Sequence, residues 1–196
     1  MFSPSIYTVS VFQLGLTSAL SAYGLYLSYQ NITRLQQYEK QSEKAAEWSN
    51  TAAQRLHKTR STQTSGTVTL LLSLLTSVAL LTIPSLSSPK ILIGTGAANA
   101  AATYLARVHM KNFWNDKTQT KIPFVEKFNE AIRGSELVVL LLGTLSLGWA
   151  AASGVWAGMA NGGSGILGLG VWGLVVGGRV MGIAPEMGWT STSPQS

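Results

Sequence analysis

Five side chains in this sequence could together line a polar cavity: Gln13, Asn99, Thr103, Arg107 and His109. The two amides offer donors and acceptors, Thr103 a hydroxyl, Arg107 a fixed cation, and His109 a proton that exchanges near neutral pH. Thr95, Asn99, Thr103 and Arg107 recur every fourth residue, which places them on one face of a helix. If that face met Gln13, a small cavity would form with His109 at its mouth. Such a site would suit an enzyme that modifies a lipid or a lipophilic metabolite. The competing reading is hydrogen-bonded glue between helices. Either purpose turns polar residues inward, because they are costly against lipid. Two further stripes obey the same rule: Gln13, Thr17 and Ser21, and Thr69, Ser73 and Ser77.

No catalytic residue is assigned, and no cofactor is implied. His57 and His109 are the only histidines and have no ligand spacing, and the chain has no cysteine, so no metal site is expected. Glu126 and Glu130 lie one helical turn apart and could exchange protons with His109, but charges of that kind are ordinarily just solvated. Gly168-x-Gly170-x-x-Gly173 spells the dinucleotide fingerprint. That motif works only between a strand and the helix it opens. Here an apolar run precedes it, so the match follows from glycine-rich composition.

The elements that would position these residues are apolar runs. Charged residues make up 11% of the chain, against roughly 25% in soluble domains. A run of about 20 apolar residues covers the bilayer core. Runs of that kind are predicted at residues 6–29, 66–86, 91–110 and 136–160, with a marginal fifth at 166–184. The expected fold is therefore an all-α membrane protein, a polytopic bundle of four or five transmembrane helices, forming a single domain over 1–184. Residues 185–196 read as a disordered tail. No secretory signal is expected, since the first charged residue is Arg34.

Two polar connections, 30–65 and 111–135, separate the runs and read as helical. The first carries a weak apolar stripe through Leu35, Tyr38, Ala45, Ala52 and Leu56. In the second, Phe124, Phe128 and Ile132 form the apolar edge of a short interfacial helix that Gly134 is expected to break. The connections hold six and five Lys plus Arg, whereas Lys90 is alone between the second and third runs. Basic connections face the cytosol, so the N-terminus is predicted to be non-cytosolic. The net charge of +6 is spread through these connections, which argues against nucleic acid as a partner.

Small residues recur at packing distance. Gly154, Gly158 and Gly162 are four apart, as are Gly173 and Gly177, and Gly94, Ala98 and Ala102 repeat the theme. In a bilayer such rows let helices approach closely. Their counterpart is either the chain's own bundle, a protein partner or a second copy. Arg179 lies within the last apolar run, where it could snorkel to the surface or contact an anionic headgroup. Two readings of function follow. The first is a non-enzymatic accessory, scaffold or membrane-organising subunit. The second is the small intramembrane enzyme, with a transporter or channel as the weaker third.

Overall fold

The computed structural model describes residues 4–48, 50–113 and 126–162, together with helical positions at 170, 173–174 and 176–178. Among the described residues all regular structure is helical. Helix α1 covers Pro4–Trp48, α2 Asn50–Thr82, α3 Pro89–Phe113 and α4 Glu126–Ala160, with a short 3-10 turn at Pro84–Leu86.

The helices are longer than the apolar runs within them. No glycine or proline interrupts the chain between Gly24 and Gly66, so nothing ends α1 where its apolar part stops. At 45 residues α1 is about 67 Å long. With α2 it extends well past the 25 residues of α3. The expected break at Gly134 does not occur, because α4 runs straight through it. The other boundaries follow local chemistry. Ile83 is extended (φ −108, ψ 100) because a proline follows it, and this ends α2 at Thr82. Pro89 opens α3, where a missing N–H does no harm. At the end of α4, Gly162 takes φ 85 and its N–H donates to the Met159 carbonyl at 3.2 Å. Gly162 is therefore a helix cap and not a packing residue.

The four helices form an antiparallel bundle in cyclic order. α1 packs on α2 and α4, α3 packs on the same two, and α1 and α3 lie across the diagonal. Side-chain pairs give the register. Ser18 meets Ser77 and Ser21 meets Ser73 between α1 and α2. Ser10 meets Trp156 between α1 and α4. Ile93 meets Ser153 and Ala100 meets Ser146 between α3 and α4.

The core is built on α4. Trp149, Trp156, Leu141, Leu142, Leu145 and Val138 are its fully buried side chains, joined by Leu70 and Met110. The segments His57–Thr82 and Arg133–Ala160 are long and apolar enough to cross a membrane.

Candidate functional site

The polar groups of the bundle lie inside it. On α1, Ser10, Gln13, Thr17, Ser21, Ser28 and Asn31 are all buried and follow one face. On α2, Ser77, Ser73, Gln63 and Thr62 are also buried, and Ser73 meets Ser21. The outside carries the large apolar side chains instead: Phe12, Leu16, Leu71, Leu72, Leu75, Val78, Leu105 and Leu140 are exposed.

Two layers of this seam bring in α4. In the first, the Trp149 indole N–H donates to the Ser73 hydroxyl at 2.9 Å, and the Ser73 and Ser21 hydroxyls lie 2.9 Å apart. Farther along, the Trp156 N–H donates to Ser10 at 3.0 Å. Both indoles thus satisfy the one donor they must bury. In the second layer, the Gln63 amide N–H donates to Ser135 at 2.8 Å. The Asn31 amide lies directly over Gly134, in the space a Cβ would need. Between the layers, Leu70 sits against Gly24, and Met110 sits against Gly66. Together with Val138, Leu141 and Leu142 they separate the two polar layers with apolar side chains.

Some buried polar atoms have no partner among the described residues. They are both amide atoms of Gln13, the Ser28 hydroxyl, Asn31 Nδ2, Gln63 Oε1 and Arg107 Nε. Asn31 begins the sequon Asn31-Ile32-Thr33, but at 1% exposure it is closed to glycosylation in the folded chain.

The cavity expected from the sequence does not assemble. Gln13 is fully buried on α1, across the diagonal from the other four. On α3, Asn99 donates to the Thr95 carbonyl at 3.0 Å and Thr103 to the Asn99 carbonyl at 2.7 Å. Their polar groups are turned back on their own helix. His109 is exposed, with Nε2 3.5 Å from the Ser61 hydroxyl. Arg107 lies alongside Gly143 of α4, where a Cβ would fall 2.8 Å from Nε, 3.0 Å from Cδ and 3.2 Å from Cζ. A Cβ on Gly96 would lie 3.5 Å from the Cα of Ser153, a register that continues to Arg107 opposite Leu142, beside Gly143. No group of three or more His, Asp or Glu that could hold a metal occurs among the described residues.

Of the counterparts open to the glycine rows, the chain's own bundle is not met among the described residues. A Cβ added at Gly94, Gly154, Gly158, Gly173 or Gly177 would meet nothing within 4 Å, and Ala98 and Ala102 are exposed. The close approaches are made by other glycines: Gly24, Gly66, Gly96, Gly134 and Gly143 each face a side chain of a neighbouring helix. Beyond α4, Val176 is 1% exposed and its Cγ2 would lie 3.3 Å from a Cβ at Gly148. Arg179, the interfacial edge at Phe124, Phe128 and Ile132, and the tail 185–196 lie outside the residues whose side chains are described.

Asn31, Gln63 and Ser135 were not predicted as core. For Asn31 the signal is in the sequence, since Ser28 and Asn31 continue the stripe of Gln13, Thr17 and Ser21 at helical spacing. No family model, curated protein or solved structure matches this chain.

Proposed function

We propose that the chain is a multi-pass integral membrane protein in which α1 to α4 each cross the bilayer, and that it serves as a non-enzymatic accessory or scaffold subunit. The observation that carries the reading is the inverted distribution of polarity. Serines, threonines and amides are buried between the helices, while Leu71, Leu72, Leu75, Val78 and Leu105 face outward. In water that exterior would be a very large apolar patch. In a bilayer it is the expected surface, and hydrogen-bonded polar residues between helices are the expected core.

Three observations favour an accessory role. Of the candidate cavity residues on α3, Asn99 and Thr103 bond to their own backbone. The apolar layer around Leu70 and Met110 interrupts the polar seam, which weighs against a transport path. The small-residue faces at Gly94–Ala98–Ala102 and Gly154–Gly158 are open, as contact faces for another protein or a second copy would be. Arg34, Lys58, Arg60, Lys111 and Arg133 gather at one end, with Lys90 at the other, and we assign the more basic end to the cytosol. The N-terminus then faces away from it.

The runner-up is an intramembrane enzyme acting on a lipophilic metabolite. One observation speaks for it, the fully buried and unpartnered amide of Gln13.

Because the chain has no cysteine, single-cysteine labelling tests the topology cleanly. Ser87→Cys should react with an impermeant maleimide from the non-cytosolic side, and His57→Cys only from the cytosolic side. Labelling of both from one side would sink the four-span reading. Purification with native lipids and mass spectrometry tests the role. A stoichiometric protein partner is expected, and a bound lipophilic metabolite without a partner would establish the enzyme instead.

A further inference from the structure

We infer that the basic end of the α2–α3 seam is a binding site for an anionic phospholipid of the cytosolic leaflet, its phosphate held by Lys58, Ser61 and His109 and an acyl chain lying along Ala98 and Ala102. The inference rests on the multi-pass reading. Of the two open small-residue faces, it gives the one on α3 to lipid and leaves Gly154 and Gly158 of α4 to a protein.

The polar end is built across two helices. The Ser61 hydroxyl of α2 and Nε2 of His109 on α3 lie 3.5 Å apart, and both residues are exposed. That separation is the outer limit of a hydrogen bond, so each group keeps the capacity to donate to a third atom. One phosphate oxygen between them can accept from both, from the hydroxyl and from the ring in its Nε2–H tautomer. Lys58 is exposed one turn from Ser61 on the same face. No carboxylate pairs with Lys58 or His109 among the described residues. A headgroup of net negative charge suits this set better than a zwitterionic one, whose own ammonium would compete with Lys58.

Depth and the surface below the polar end choose a lipid. Thr82 to Ser61 and Pro89 to His109 each span about 30 Å of helix, which matches the hydrocarbon core. With the Pro84–Leu86 turn at one interface, the pair stands at the other, where the phosphates of the cytosolic leaflet lie. Toward the membrane centre, the face of Ser61 continues through Val68 and Leu72, and that of His109 through Ala102 and Ala98, all exposed. Counted from the turn, Val68 comes level with Ala102 and Leu72 with Ala98, each within one residue. Methyl-sized side chains beside branched ones leave a trough for one acyl chain. Charge at the leaflet surface above an apolar trough is the polarity of a phospholipid, whereas a free phosphate or a soluble carboxylate would leave the trough bare. Basic pockets between membrane helices hold anionic headgroups in this way.

The test uses the full chain, reconstituted in vesicles of equal phosphatidylcholine and phosphatidylglycerol with matched acyl chains, then extracted in mild detergent and weighed by native mass spectrometry. One phosphatidylglycerol should be retained about tenfold over phosphatidylcholine, as expected from a surface lysine acting with charge-assisted hydrogen bonds. K58Q and H109L should each lower the preference several-fold, and K58R should keep it. A102F fills the trough without touching a charge and should release the lipid. K111Q removes a charge from the opposite face of α3 and should leave the preference intact. Equal retention of the two lipids by wild type would overturn the inference. So would equal losses in K58Q and K111Q, which would mean unspecific attraction to a basic end. Displacement of the lipid by millimolar inorganic phosphate, with A102F behaving as wild type, would assign the site to free phosphate. A protein retained in place of lipid and lost from K58Q would assign it to a partner. Flotation of the vesicles shows separately whether the chain is inserted, so loss of this site and loss of the membrane reading are told apart.

Discussion

Trp149 of α4 and Ser73 of α2 are joined by a 2.9 Å indole-to-hydroxyl hydrogen bond, and the same hydroxyl lies 2.9 Å from Ser21 of α1. Three helices meet at one oxygen. Ser73→Ala removes that oxygen and leaves the Trp149 N–H buried without a partner. The expected loss is about 1 to 3 kcal/mol. Trp149→Phe removes donor and orphan together and should cost less through this bond, its remaining effect being the smaller ring. Thermal unfolding of the detergent-solubilised chain measures both. A Ser73→Ala protein as stable as wild type would mean the three-helix junction contributes nothing.

Asn31 and Gly134 make the second junction. The amide occupies the space of the missing Cβ, so Gly134→Ala must expel it from a site only 1% exposed. Overpacking of this kind costs about 1 to 3 kcal/mol. Asn31→Ala in the same chain vacates that space, so the double variant should be more stable than the sum of the single changes predicts. Additive losses would place the effect of Gly134→Ala elsewhere.

This glycine also marks how far the sequence could be read. The apolar runs and the prolines at 84 and 89 located the helical cores and the turn between α2 and α3. Gly134 was expected to end a helix, because glycine is a poor helix former. In the folded chain the contact with Asn31 outweighs that propensity. The continuation of α1 past its apolar part was legible, since the polar connection reads as helical and no helix breaker lies between Gly24 and Gly66. Spacing revealed which residues share a face but not what the face meets. Thr95, Asn99 and Thr103 share theirs and bond to α3 itself, while Gly154 and Gly158 share theirs and meet open space.

The open and closed glycines should therefore respond oppositely to alanine. At Gly154 and Gly158 the added methyl has room, and each change should leave the fold as stable or raise it by up to about 1 kcal/mol. At Gly96 the methyl would lie 3.0 Å from the Trp156 ring and 3.1 Å from Ser153 Cβ, so Gly96→Ala should destabilise. Unfolding midpoints for the three variants decide the matter. Destabilisation at Gly154 and Gly158 in a monodisperse monomer would mean that these faces are not open.

Gln13 offers the sharpest choice between the two functional readings. Its amide is fully buried, with neither atom bonded among the described residues. Methionine has nearly the same length and shape but no hydrogen-bonding group that needs satisfying. If the interior is a solid scaffold, Gln13→Met removes an unsatisfied amide and should stabilise the chain by about 1 to 3 kcal/mol. If the amide binds a lipophilic metabolite, the same change removes its recognition group, and the protein copurified with that compound should lose both stability and the compound. Unfolding of the two proteins, prepared from the same membranes and analysed for retained small molecules, separates the cases. The scaffold reading requires the methionine variant to be the more stable.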